Sequence, residues 1–410
     1  MEYYRILPHP IGKEFAITFV DDTDLSTVSN TKPVYDLLCK KGLFGTKTVW
    51  VKPRIRNSAY RQDLEKSIDT VGEEGETLFD DKYREFIIDL KNNGFEIGLH
   101  GVAGGNSCRD EIIEGLDYFQ LILGNSPNIN IFHERNIDNL YSGNEKLVLW
   151  PFKLLEWVMH RSNYSGHRVG SCYFWGDVAK QKIKYMRLPF HNIVEINSLK
   201  VSPSMPFHDP SQEYVNYWFV NSDAADCGRF NSLFNEENID KLKNEFGVCI
   251  AYTHFAKGFA RKGDDGMYVL DAEFVRTVDR ISSFSECWFP TVTELLDRLL
   301  LCQNIDVSHV GNILKVTNKN DIDVPSLSIL TPKKLKVFDA GGGEIRQSDS
   351  NILELELIPA NSSISFYTDI EGKGKTNVFT FNRTRIFIER ARIEIYNYFG
   401  LLKRDILKRI

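Results

Sequence analysis

The chain has 410 residues, more than one average core holds, so two or more units are expected. Hydrophobic residues make up 42% and charged residues 26%, the balance of a globular protein in water. The net charge of -6 excludes nucleic acid as the main partner, because phosphate binding wants a basic surface. No apolar run reaches the roughly eighteen residues of a membrane span. The opening MEYYRILPHPIGKEFAITFV lacks the basic and apolar regions of a signal peptide. Seven scattered cysteines without a CxxC pair read as reduced thiols, and the expected location is cytoplasmic.

The first 300 residues alternate strand-like and helix-like segments. Phe15 to Val20 (FAITFV) is an apolar run rich in β-formers, followed by DDTD. Asn30 or Thr31 suits a helix cap, Pro33 the first turn and Gly42 the end. TKTVWV (46–51) reads as the second strand. Residues 79–93 have helical spacing, and Gly94 stops them. FEIGL (95–99) is a strand with His100 at its end. A helix over 109–123 stops at Gly124, and the strand NIF (130–132) precedes His133. Residues 141–215 resist parsing. Then come YWFV (217–220), a helix over 236–246, the strand VCIAYT (248–253) with His254 after it, and helices over 271–284 and 291–302. Repeated strand–helix units predict a parallel sheet, open or closed into a barrel, over residues 1–303.

After Cys302 the pattern changes to short β-rich runs, ILKVTN, SLSIL, LKVFD, ILELELI and SISFYT, with a turn at Gly341-Gly342-Gly343. A small all-β sandwich is expected over 304–370. From Glu371 onward ten Lys/Arg face four Asp/Glu, so this tail carries +6 and the rest of the chain -12. Ile388, Ala391, Ile395, Phe399, Leu402, Ile406 and Ile410 fall on one helical stripe. The stripe is expected to dock on the protein, to pair with a second copy, or to make peripheral contact with an acidic membrane.

In parallel α/β barrels reactive groups gather at the C-terminal ends of strands. Three such ends carry Asp21-Asp22, His100 and His254. An aspartate after a strand is often a turn residue, and a lone histidine is often structural. Titratable groups at three strand ends together point to a site.

These segments resemble the polysaccharide deacetylase family, the NodB-homology fold, over about residues 10 to 300. FAITFVDDTD is similar to the first motif, in which a strand ends in an aspartate pair. FEIGLHG is similar to the second, which delivers a metal-binding histidine, and VCIAYTHF to the last, which delivers a histidine acid. The resemblance implies a distorted (β/α) barrel. It also implies hydrolysis of an acyl group, N-acetyl above all, from a carbohydrate or glycan precursor, with a divalent metal, usually zinc, at the site. Carried over, Asp21 is the catalytic base, His254 the acid, and Asp22 and His100 metal ligands. Two positions depart from the pattern. Val20 intervenes between the strand's Thr-Phe and the aspartates. Gly104 stands where the family has a second histidine, so Asn106, nearest in sequence, is the expected third ligand, with His133, Asp24 or a water as alternatives.

The stretch NIFHERN corresponds to the family's third motif. Its His133 and Arg135 are candidates to orient the base or bind substrate, with a structural ion pair as the other reading. Asp24 and Trp218 complete the candidate substrate-binding set. Trp218 with Tyr217, and Trp175 with Tyr173, offer ring faces on which a sugar could stack, or else belong to the core. Two further readings stay open: a barrel of this type that binds glycan or organises glycan assembly without catalysis, and a glycosidase with two carboxylates and no metal.

Overall fold

The computed structural model describes residues 2–53, 75–133, 136–159, 164–376 and 383–407. The chain divides into two units. One takes Met1–Ala16, Ser285–Trp288 and Glu294–Asn382; the other takes Ile17–Phe284, Phe289–Thr293 and Arg383–Ile410.

The smaller unit is built on the strand Glu2–Leu7 (β1). Its first half pairs in parallel with the strand Ser362–Thr376, and its second half pairs antiparallel with Val324–Leu330. Ser362–Thr376 also pairs with Ile305–Asn318, and Val324–Leu330 with Ile352–Ile358. The two layers thus share β1, and they enclose Tyr4, Val307, Leu314, Val316, Leu327, Ile329, Leu353 and Phe366. The β-runs after Cys302 are present as expected. The boundaries differ from a linear reading, because β1 lies far away in sequence and enters through strand pairing.

In the larger unit the parallel strands are Phe15–Asp21 (β2), Thr46–Val49 (β3), Glu96–Leu99 (β4), Ile129–Asn130 (β5), Tyr185–Arg187 (β6), Tyr217–Phe219 (β7), Ser222–Asp223 (β8) and Val248–Thr253 (β9). Their order is β7-β6-β5-β4-β3-β2-β9-β8. β7 and β8 are consecutive halves of one extended run: the first pairs with β6 and the second with β9. The sheet's two edges therefore meet in residues 217–223, and the sheet curls into a distorted α/β barrel. β2 is buried along its whole length, as a strand covered on both faces must be.

Helices follow most strands. Val28–Lys40 is capped by Thr27, whose hydroxyl accepts from the Asn30 N–H while Asn30 returns a bond to the Thr27 N–H. The cap lies three residues before the expected one, and Pro33 sits inside the helix. Arg109–Leu123 ends at Gly124 in the left-handed conformation, φ 77°. Within the stretch that resisted parsing lie the helices Trp150–Met159 and Gly176–Lys182 and the strand β6.

The helix Arg383–Leu407 packs with the opposite face from the one its periodicity favoured. Ile388, Ile395, Phe399 and Leu402 are each more than half exposed, while Glu389, Arg390, Glu394 and Asn397 are buried. Polar partners explain the inversion. Glu394 accepts from the N–H groups of Val148 and Leu149, at the positive end of the helix Trp150–Met159. Glu389 accepts from Ser202 Oγ (2.6 Å) and the Ser204 N–H (2.9 Å). Arg390 pairs with Asp209, and Arg404 lies 3.1 Å from Asp223. Gly400 allows the close approach: a Cβ there would lie 1.7 Å from the Asn192 carbonyl oxygen. Side chains of residues 405–407 and all of 408–410 lie outside the described residues.

Candidate active site

β2 delivers four polar residues in sequence, and strand alternation sends the first two to different partners. Asp21 stands opposite Lys47 of β3 in the ladder. Lys47 Nζ donates to Asp21 Oδ2 (2.8 Å) and to Ser26 Oγ (2.9 Å). The Tyr35 hydroxyl donates to the same carboxylate oxygen (2.7 Å), and the Phe255 N–H to the other (2.7 Å). Asp21 and Lys47 are both fully buried. Burial, the largest single influence, works to lower the Lys47 pKa, but the charge and hydrogen bond of Asp21, with Tyr83 and Asp22, together leave the ammonium above its usual value. Asp21, the expected base, is therefore the anionic half of a buried ion pair.

Asp22 takes a two-pronged grip from Arg187 at the end of β6, at 2.9 and 2.7 Å. Burial works to raise its pKa, yet the Arg187 charge, helped by His100 and His254, leaves it below the ordinary carboxylate value. Arg187 lies over the Tyr252 ring, 4.4 Å from its centroid. Asp22 Oδ2 is 4.0 Å from His100 Nδ1, so the expected ligand Asp22 borders the histidine ring and is held by arginine.

Asp24 is the residue on which the site converges. Its Oδ2 lies 2.9 Å from His254 Nε2 and 3.5 Å from Lys257 Nζ. Its Oδ1 is buried without a hydrogen bond, 3.3 Å from His100 Nε2 and 3.7 Å from His133 Nε2. Ligand atoms of Asp24, His100 and His133 all lie within 4.8 Å of one another. Tetrahedral bonds of about 2.0 Å to one ion place donor atoms roughly 3.3 Å apart. An oxygen and two imidazole nitrogens at such spacings fit a divalent cation. Burial pushes Asp24 up, but the facing His100 and His254 rings and the charge of His133 hold it well below the ordinary value. Burial lowers the His100 pKa, which favours the neutral ring a metal needs.

Neighbours fix both remaining rings. Asn136 donates through Nδ2 to the carbonyls of Gly105 (3.0 Å) and Ala103 (3.5 Å), so its Oδ1 faces His133 Nδ1 at 3.2 Å. That nitrogen carries the proton, and Nε2 presents its lone pair toward Asp24 and His100. His254 Nδ1 faces the Ala225 carbonyl at 2.8 Å while Nε2 faces Asp24. The Tyr252 hydroxyl also faces Nε2, at 3.5 Å.

The other expected residues stand elsewhere. Asn106 Oδ1 accepts from the Ile137 N–H (2.8 Å), so its amide serves the backbone, and His133 occupies the third position of the cluster. Trp218 is fully buried, with its ring 6.2 Å from Phe132, and is a core residue; Tyr173 and Trp175 are buried too. Arg135 lies outside the described residues. Gly104 packs on Trp50: a Cβ there would meet that indole at 3.0 Å, so any larger residue would have to push the ring aside. Trp50 in turn lies against both His100 and His133. Lys47, Arg187 and Asn136 were not anticipated. The signal for Lys47 is a lysine inside an otherwise buried β-run, and for Arg187 a charge closing the short apolar YM pair.

No family model and no curated protein matches the chain. Among solved structures it is similar to a protein described as a polysaccharide deacetylase from Mycobacterium smegmatis, with 11% identity over 72% of this chain and 95% of that one and a TM-score of 0.38. It is also similar to an allantoinase, with 10% identity over 71% and 92% of the two chains and a TM-score of 0.40. A protein described as a polysaccharide deacetylase from Pseudomonas aeruginosa PAO1 gives 11%, 71%, 93% and 0.40.

Proposed function

We propose that this chain is a metal-dependent hydrolase that removes an acyl group, N-acetyl in particular, from a carbohydrate or glycan precursor. The observation that carries this reading is the convergence of Asp24, His100 and His133 at strand ends, with His254 Nε2 on the far oxygen of Asp24. A divalent cation such as zinc, held by Asp24, His100 and His133, would supply Lewis acidity toward an acyl oxygen and a lowered pKa for water.

The remaining groups have complementary tasks. His254, hydrogen-bonded through Nδ1 to Ala225, holds a proton at Nε2 that it can pass to a leaving nitrogen or oxygen. Asp22 is the carboxylate bordering His100, and it takes the role of base that the motif comparison gave to Asp21. Arg187 fixes its orientation with one bond to each oxygen, which leaves a lone pair on each to accept a proton from water. Asp21 has no part in proton transfer: Lys47, Tyr35 and the Phe255 N–H occupy both its oxygens. Asn136 holds His133 in the tautomer that binds a cation.

One observation favours a second reading. Asp21 and Asp22 are both paired with buried cations, which weakens both as bases and suits a barrel that binds a glycan without turning it over. Acetate release from an N-acetylated oligosaccharide separates the two. The hydrolase reading expects turnover that a chelator abolishes and added zinc restores. Metal-loaded protein that binds the sugar and releases no acetate would establish the second reading.

A further inference from the structure

The helix Arg383–Leu407 spends its polar face on docking, which leaves an apolar face outside. The same holds for the helix beside it. In Trp150–Met159 the residues Trp150, Leu154, Trp157 and Val158 recur at helical spacing, and Trp150, Trp157 and Val158 are 71%, 57% and 63% exposed. The two helices touch: the rings of Phe152 and Tyr398 stack 3.9 Å apart. On the terminal helix, Ile388, Ile395, Phe399 and Leu402 continue the exposed apolar surface, Leu402 at 61%. Paired helices that expose two tryptophans and at least six large aliphatic or aromatic side chains are not an ordinary water-facing surface.

Charge on these helices is partitioned in a way that names the partner. Both acids among the described side chains of the terminal helix, Glu389 and Glu394, are buried against the protein. In the neighbouring helix, Glu156 is largely buried and lies 3.9 Å from Lys146. The exposed charges among the described side chains of the two helices are all positive: Lys153, Arg383, Arg392 and Lys403. The tail as a whole carries +6 in a chain of net charge -6. Folding thus turns acids inward and leaves cations around an apolar, tryptophan-bearing face.

We propose that this face is an interfacial docking surface for an anionic lipid bilayer. Tryptophans favour the headgroup boundary, apolar residues enter the outer acyl region, and rim cations meet anionic headgroups. No described helix is long and apolar enough to cross a membrane, so the contact lies along the surface. The inference does not rest on the hydrolase reading.

The test uses the full chain with vesicles of phosphatidylcholine alone and of phosphatidylcholine with about 30% phosphatidylglycerol, read by co-sedimentation and tryptophan emission. The expected result is binding to the anionic vesicles with a blue shift, little binding to the neutral ones, and release at about 1 M salt, where screening shortens to roughly 3 Å. Arg392→Gln and Lys403→Gln, at exposed positions, should each lower partitioning about fivefold without moving the melting temperature. Trp157→Ser and Phe399→Ser should abolish the blue shift. A folded chain that ignores anionic vesicles overturns the proposal. So does a dimer in light scattering that Phe399→Ser converts to monomer, since a second copy would then be the occupant.

Discussion

Replacing Lys47 by methionine separates a structural Asp21 from a catalytic one. The substitution keeps the stem and removes the ammonium that donates to Asp21 Oδ2 at 2.8 Å and to Ser26 Oγ at 2.9 Å. Asp21 then remains fully buried with only the Tyr35 hydroxyl and the Phe255 N–H, and an uncompensated buried charge of this kind costs about 3–5 kcal/mol. At roughly 2–4 °C per kcal/mol, the melting temperature should fall by about 6–20 °C. Adding Asp21→Asn removes the stranded charge and should recover more than half of that loss. The Lys47 ammonium is held above its usual pKa, so its contribution is complete below about pH 10.4 and is lost as pH rises through the higher folded value; assays near neutrality see all of it. The measurement is a thermal melt of the single and double variants together with acetate release from their folded fractions. A structural Asp21 predicts that the double variant keeps turnover within about tenfold of the parent. A double variant as stable as expected but slowed by more than about a hundredfold refutes the reassignment and returns the base role to Asp21.

Asp22→Asn should leave bound metal unchanged and lower turnover by roughly two to four orders of magnitude, read as acetate release at saturating substrate. His254→Ala should show the same pattern, and full activity in that variant removes His254 from the mechanism. Burial lowers the His100 pKa, so the folded chain takes up fewer protons than an exposed ring between that lowered value and about 6.5, and a metal should stay bound as pH falls through 6.5. Metal content followed against pH checks this, and half-release above pH 6.5 contradicts it.

Much of the barrel was legible because each strand is a short buried run that ends in polar residues. FAITFV, FEIGL and VCIAYT carry that pattern in their own letters, and His100 and His254 stand where strand ends were expected. The partners of Asp21 and Asp22 were not legible. They depend on the register that sets Lys47 beside Asp21 and on barrel curvature that brings Arg187 from β6 toward β2. Neither follows from local spacing. Of the candidates for the third position, sequence distance favoured Asn106, but the fold turns its amide to the Ile137 N–H and brings His133, from after the next strand, beside Asp24 and His100. The terminal helix misled for an energetic reason. Periodicity marks its apolar stripe, but buried carboxylates that find helix-end and serine donors decide which face docks.

The central claim is that Asp24, His100 and His133 hold a divalent cation, and elemental analysis of purified protein after zinc loading tests it most directly. About one ion per chain is expected in the parent, in Asp22→Asn and in Asn106→Ala, and almost none in His133→Ala or Asp24→Asn. A His133→Ala protein that retains its ion, alongside an Asn106→Ala protein that loses it, would contradict the account.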